Sequence, residues 1–413
     1  VYKKIFVYTN TNCRRRLLDT KKLKLYFKKN NYKVIDSAKT ADLIVYVTCA
    51  YRNEITEECL QKIIEFQHYD ADLIVAGCLP KIEEARLLEI FQGVTLCTKN
   101  INDIDKLFSK NTISFSTITD SEAIVADQSS SLRNAAQNLR DSLHKLSCSI
   151  GKFFVEHTVH PHLPVYLYPS NPEFYHVRIS WGCKGNCSYC GIKKAIGNLK
   201  SKPLQECIDD FKEGIGNGYS HFIITADDVG AYGTDIGLYF PDLLAELLLI
   251  PGNYKISLQD FDPKWVVRYI DSFEKLTDQS KIASINIAFQ SGSKNVLKLM
   301  NRYSDTKKIK EALLRIKKWN PTLSLDSHFI IGFPGESHED FIQTMDTIIA
   351  LDFDMGFLYR YSCKTGTKAE NMEPKISLEE KNRRMREAST FLQDHNYEVL
   401  SLSKDSFYAF YKK

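Results

Sequence analysis

Long apolar runs are missing from this sequence. No stretch reaches the roughly 20 apolar residues that a membrane-spanning helix needs, and no basic-then-apolar signal pattern opens the chain. Membrane insertion and export are therefore not expected, and the expected location is cytoplasmic. An excess of one charge is missing too: 55 Lys and Arg stand against 51 Asp and Glu, a net of +4. The basic residues fall in many short runs, so nucleic-acid binding is permitted but not demanded. What the chain does have is cysteine, eleven in 413 residues. Without export signals, that number argues against a disulfide framework and for thiolate chemistry in a reducing compartment. The length leaves room for two or three domains, each with its own core.

Three of the cysteines, Cys183, Cys187 and Cys190, are spaced C-x3-C-x2-C directly after an extended run at residues 175–180. Three thiolates on one short loop can hold three irons of a 4Fe-4S cluster and leave the fourth iron open to a cofactor, unlike the ferredoxin run that supplies a fourth cysteine. A structural zinc loop is the lesser reading, because such sites take four ligands from paired motifs.

Residues 1–108 alternate short apolar strands (4–8, 41–47, 71–76) with amphipathic helices (19–29, 54–67), which predicts a doubly wound parallel sheet. Cys13, Cys49 and Cys78 each follow a strand, so all three belong on the carboxyl edge, where open parallel sheets build their sites. Three converging thiolates again suit a cluster with one open iron, against a reading as three packing cysteines. Cys59, Cys97, Cys148, Cys207 and Cys363 fit no cluster pattern and read as structural thiols. Of these, Cys363 lies nearest the expected substrate side.

Residues 109–172 read as a linker holding one amphipathic helix, with apolar positions from Leu132 to Phe153 at helical spacing. His157, His160 and His162 near its end read as a solvated or packed loop, not a metal site. Residues 173–372 repeat strand and helix six times, with strands near 175–180, 221–226, 254–259, 283–289, 323–331 and 353–361, which predicts a partial, open TIM-like barrel. Its motifs fall at strand ends: the cysteine loop, Asp227 and Asp228, Gln290 and Ser291, Gly332 and Gly335, and residues 361–367. Residues 373–413 read as a helix opened by a capping box at Ser377 and Glu380, then one hairpin.

The cysteine loop resembles that of the radical S-adenosylmethionine (radical SAM) superfamily, with Tyr189 where that superfamily carries an aromatic beside the adenine of SAM. Cys13 with Asp19 and Thr20, Thr48 to Arg52, and Gly77 to Pro80 resemble the amino-terminal cluster domain of the radical SAM methylthiotransferases, which act on tRNA or a ribosomal protein. The stretch Asp227 to Gly233, with residues 196–199, is most similar to the branch that modifies threonylcarbamoyladenosine in tRNA. The resemblance implies two 4Fe-4S clusters, on Cys183, Cys187 and Cys190 and on Cys13, Cys49 and Cys78. It also implies SAM held near Tyr189, Asp227, Asp228, Gln290, Ser291, Gly332 and Gly335, and an external electron donor such as flavodoxin or ferredoxin.

The chain departs from the family pattern at Asn12, Arg16, Val47, Ile196, Lys202, Asn286, His328 and Lys364. Several of these replace an arginine, and lysine cannot fork onto a phosphate or carboxylate as arginine does. The tail predicts a single hairpin, where tRNA-modifying relatives carry a five-stranded TRAM barrel. The expectation is a sulfur-inserting radical SAM enzyme acting on a peptide or small molecule. A tRNA methylthiotransferase is the runner-up, and a non-catalytic iron-sulfur sensor is the third reading.

Overall fold

The computed structural model describes residues 2–11, 13–133, 174–403 and 405–413. The three histidines and most of the expected helix at 132–153 lie outside them. The amino-terminal sheet holds β1 (Lys4–Tyr8), β2 (Lys33–Ile35), β3 (Leu43–Thr48), β4 (Asp72–Gly77) and β5 (Val94–Cys97), in the order β2-β1-β3-β4-β5. All four pairings are parallel. β3 is buried at all six positions, because both faces of a doubly wound sheet are covered. Ile44 and Tyr46 pack with Cys59, Leu60, Ile63 and Phe66 of the helix Asn53–Phe66. Leu43, Val45 and Val47 pack with Leu23, Tyr26 and Phe27 of the helix Arg14–Lys29. The strand order reverses between β1 and β3, the switch point where such sheets open a crevice. Cys13 follows β1 and Cys49 follows β3.

The stretch expected to be a linker already forms a helix at Asp120–Arg133. Its start is a reciprocal cap: the Thr119 amide donates to Glu122 Oε2 (3.1 Å) and the Glu122 amide to Thr119 Oγ1 (3.1 Å). This is the T-x-x-E signature of a helix start.

The second sheet contains β6 (Phe174–Arg178), β9 (His221–Thr225), β10 (Lys255–Phe261), β11 (Ile282–Gln290), β12 (Ser324–Ile331) and β13 (Met355–Arg360), six parallel strands joined in sequence order. Between β6 and β9 the short strands β7 (Ser180–Trp181) and β8 (Lys200–Ser201) pair antiparallel and close the cysteine loop at its base. The helices Leu204–Gly216, Phe240–Leu249, Pro263–Phe273, Thr306–Trp319 and His338–Leu351 intervene between strands, and their buried faces share one core with the sheet. The sheet does not close on itself: β6 is one edge.

On the other edge, β15 (Phe407–Lys412) pairs antiparallel with β13, and β14 (Tyr397–Ser403) pairs with β15. The carboxyl-terminal hairpin thus extends the barrel sheet instead of building a separate module. The preceding helix, Leu378–Asp394, is capped by Ser377, whose hydroxyl accepts from the Glu380 amide at 3.1 Å. The reciprocal half of the expected capping box is absent, because the Glu380 carboxylate turns to Arg383 and Arg384.

Candidate active site

The loop that carries Cys183, Cys187 and Cys190 is pinned by backbone geometry. Gly182 lies at φ +71°, and a Cβ there would stand 2.0 Å from the Asn198 carbonyl oxygen, so only glycine permits this approach. Its amide donates to Asp227 Oδ2 at 2.9 Å. The Gly185 amide donates to Cys183 Sγ at 3.1 Å, and the Ser188 amide and hydroxyl donate to the Met300 and Leu299 carbonyls at 3.0 and 2.7 Å. Arg302 donates to Cys187 Sγ at 3.4 Å while paired with Asp262 at 3.1 Å. Burial and the neighbouring negative groups push the Cys183 thiol up to about 12, and burial with the Cys187 charge raises Cys190. Crowded sulfurs of this kind are stabilised as thiolates by a cationic iron centre.

The second triad assembles from three strand ends. Cys13 caps the helix Arg14–Lys29, Cys49 follows β3, and Cys78 precedes the short helix Leu79–Ile82. The Cys49 thiol donates toward both Cys13 and Cys78. This hydrogen bond, with nearby arginines, holds Cys13 down at about 5 and Cys78 at about 7, whereas Cys49 is raised. Arg16 is buried at the same point: it donates to Cys78 Sγ at 3.5 Å and to Thr98, and pairs with Asp19 at 3.0 Å. The other cysteines of this unit are turned away. The Cys59 thiol donates to the Cys49 carbonyl (3.3 Å) and the Cys97 thiol to the Ala195 carbonyl (3.0 Å).

Among the described residues no three His, Cys, Asp or Glu side chains converge on the position of one bare metal ion. A cluster asks for something else: one thiolate per iron, arranged around a space. Both triads have the matching donor set of three cysteines.

One cavity of about 840 Å³ joins them. Its lining includes Cys13, Cys49, Cys78 and Cys190 together with Tyr189, Asp227 and Gln290. Arg15 ties the two sheets across it, pairing with Asp227 at 2.9 Å and Asp260 at 2.7 Å. Of the other expected SAM contacts, four are not in the lining. Asp228 accepts from the Trp265 indole at 2.9 Å, and burial lifts its carboxyl to about 6. Ser291 is fully buried against Thr344 and the Ser293 amide. The Gly332 amide donates to Glu336 and the Gly335 amide to the Pro374 carbonyl; both glycines lie at positive φ, shaping the loop after β12.

Sequence reasoning did not single out Arg15, Arg52, Tyr359, Phe407 or Arg302 as site residues. The run Cys13-Arg14-Arg15-Arg16 was a visible signal. Phe407 had none, since its place in the cavity wall depends on how the hairpin docks. Asn286 and His328, noted as departures, stand on neighbouring strands in the same wall, 3.2 Å apart.

Residues 177–348 match the Radical SAM superfamily, and residues 5–99 match the uncharacterized protein family UPF0004. The ribosomal protein uS12 methylthiotransferase RimO of Thermodesulfovibrio yellowstonii is 27% identical over 388 residues, 93% of this chain and 81% of that protein. The human threonylcarbamoyladenosine tRNA methylthiotransferase is 25% identical over 368 residues, 89% of this chain and 58% of its own. The tRNA-2-methylthio-N(6)-dimethylallyladenosine synthase of Clostridium botulinum is 26% identical over 386 residues, 92% and 79% of the two chains. Among solved structures, the radical S-adenosylmethionine methyltransferase TsrM of Kitasatospora setae superposes with a TM-score of 0.59 at 12% identity, covering 90% of this chain and 77% of that one. That likeness speaks for the fold. With both family regions present in order and relatives along nearly its whole length, the chain belongs to the radical SAM methylthiotransferases, sulfur-inserting enzymes that use a 4Fe-4S cluster and SAM.

Proposed function

We propose that this chain is a two-cluster enzyme in which Cys183, Cys187 and Cys190 hold the SAM-binding cluster and Cys13, Cys49 and Cys78 hold a second cluster that supplies sulfur. The observation that carries this reading is the shared cavity, which has cysteines of both triads in its wall. When bound, the first cluster and SAM supply a 5'-deoxyadenosyl radical for hydrogen abstraction, and the second supplies sulfide or methyl sulfide. The protein's own part is positional. Arg15 holds the Asp227 carboxylate, which in turn holds the Gly182 amide at the root of the cysteine loop. Tyr189, edge-on to Phe333 with ring centroids 6.3 Å apart, offers a face for the adenine, and Gln290 stands in the same wall. Arg16 and Arg302 place positive charge against one sulfur of each triad.

The proposed division is a cluster domain at 1–108, a connecting segment at 109–172, the radical SAM core at 173–372 and a helix-hairpin tail at 373–413. The substrate we favour is a peptide or small molecule. The departures at Asn286, His328 and Lys364 support a changed substrate: all three line the cavity, and Lys364 is committed there to Glu83 at 3.3 Å, Asn53 and Thr56. A tRNA substrate is the second reading, supported by the relatives that modify tRNA. An external electron donor such as flavodoxin or ferredoxin completes the system. A reducing cytoplasm suits ten described cysteines that are all free, and no described helix is long and apolar enough to cross a membrane.

The test follows both fates of SAM in the anaerobically reconstituted protein. Methylthio transfer consumes SAM twice, so the wild type forms both S-adenosylhomocysteine and 5'-deoxyadenosine. The Cys13→Ala, Cys49→Ala, Cys78→Ala variant is expected to keep 5'-deoxyadenosine and lose S-adenosylhomocysteine. 5'-deoxyadenosine as the sole product of the wild type would contradict methylthio transfer and leave bare sulfur insertion; neither product would favour the sensing role.

A further inference from the structure

The cavity wall contains a set of buried polar atoms with no partner, Arg52 Nε and Nη1, the Ser362 hydroxyl and Asn286 Oδ1, and beside them the Tyr361 hydroxyl, which has the Cys363 thiol as a neighbour. Buried polar groups are ordinarily paired, so several on one wall call for an outside partner. Arg52 contributes two of these atoms. Its guanidinium carbon lies 4.3 Å from the centroid of the Phe407 ring and 5.2 Å from that of Tyr51. Phe407 is itself stacked on Tyr359, with centroids 4.8 Å apart and planes 8° off parallel. Stacking occupies the faces of a guanidinium, but its N–H donors point outward in its plane and stay available.

The other cations of the same wall are engaged. Arg14 faces the Asp260 charge, Arg15 is held by Asp227 and Asp260, Arg16 by Asp19, Arg360 by Glu54 at 3.6 Å and Lys364 by Glu83. Arg52 is also the residue just before the helix Asn53–Phe66, whose end carries no side-chain cap. The amides of such an end add positive potential at the same place.

We propose that Arg52, with the Tyr361 and Ser362 hydroxyls, forms an oxyanion-binding subsite that anchors the substrate by a carboxylate or phosphate group. Asn286 Oδ1 accepts from a donor elsewhere on the substrate, its amide nitrogen being directed to His328. Arg52 is three residues beyond Cys49 and lines the same cavity as Cys13, Cys49, Cys78 and Cys190, so a molecule anchored on it lies in the space that both triads face. Phe407 makes the carboxyl-terminal hairpin part of this subsite, since it fixes the plane of the guanidinium. The proposal deepens the functional reading above and rests on it for what happens to the anchored molecule, though not for the binding of the anion.

The experiment is calorimetric titration of the cluster-loaded protein with succinate and, separately, with inorganic phosphate, in chloride buffer. Saturable binding of one of them is expected, and which one binds identifies a carboxylate or a phosphate anchor. Arg52→Lys keeps the charge but not the planar donors, and should weaken that binding roughly tenfold; Tyr361→Phe should weaken it several-fold. Iron content and 5'-deoxyadenosine formation, measured on the same samples, report on fold and on the cluster reading separately. No saturable binding of either anion, or equal affinity in the wild type and Arg52→Lys, overturns the subsite whatever the iron count.

Discussion

A single carboxylate joins three parts of this molecule. Asp19 lies in the first helix and accepts from Arg178 of β6 at 2.8 Å while pairing with Arg16 at 3.0 Å. Arg178 also pairs with Asp120 at 3.0 Å, and every side chain in the set is at most 5% exposed. Arg178 and Asp120 hold the barrel's first strand and the helix Asp120–Arg133 to this network. Removing one partner from a buried set leaves charge unpaired in low dielectric, which costs about 3–5 kcal/mol. Asp19→Ala is therefore expected to lower the free energy of unfolding by that amount in urea titration, and to loosen Arg16 beside Cys78. The sequence offered Asp19 only as part of a family-like pattern near Cys13. Its partner Arg178 is 159 residues away, on the other sheet, a distance that no local pattern encodes.

At the scale of elements, the loop after β12 is buttressed by the helix Leu378–Asp394. Arg384 of that helix pairs with Glu336 at 2.7 Å, and the Gly332 amide donates to the same carboxylate. Burial outweighs these favourable contacts and lifts the Glu336 carboxyl from 4.5 to about 7. The folded protein then holds a proton that the unfolded chain has released, so stability falls as pH rises through the window from about 4.5 to 7. Glu336→Gln removes the titration, and its unfolding midpoint is expected to lose that downward slope, as thermal unfolding at a series of pH values would show.

The long strands of both sheets were legible because they are unbroken apolar runs bounded by polar turns. β2 and β5 were not, at three and four residues, with β2 wholly without buried positions and the first half of β5 exposed. The cap at Thr119 and Glu122 was legible in principle but lay in a Ser- and Thr-rich stretch that masked it. The hairpin was visible in the sequence, but its pairing with β13 was not: the alternation of residues 397–411 shows that a strand has a buried face, not which sheet covers it.

The whole molecule is two α/β units whose carboxyl edges open on one cavity. Each unit's cysteines were readable on their own, three from local spacing and three from their positions at strand ends. Their meeting was not, because it depends on Arg15 reaching Asp227 and Asp260 across the divide and on Phe407 closing the wall. That meeting is the central claim, since sulfur delivered to a substrate radical requires both centres to face the same space.

The most direct measurement is an anaerobic iron and sulfide count on the reconstituted wild type and on the variant with Cys13, Cys49 and Cys78 changed to Ala, with SAM cleavage followed in both. The account predicts about eight irons falling to about four while 5'-deoxyadenosine is still formed. Four irons in both proteins would mean that the amino-terminal cysteines hold no cluster, and would contradict the two-centre cavity.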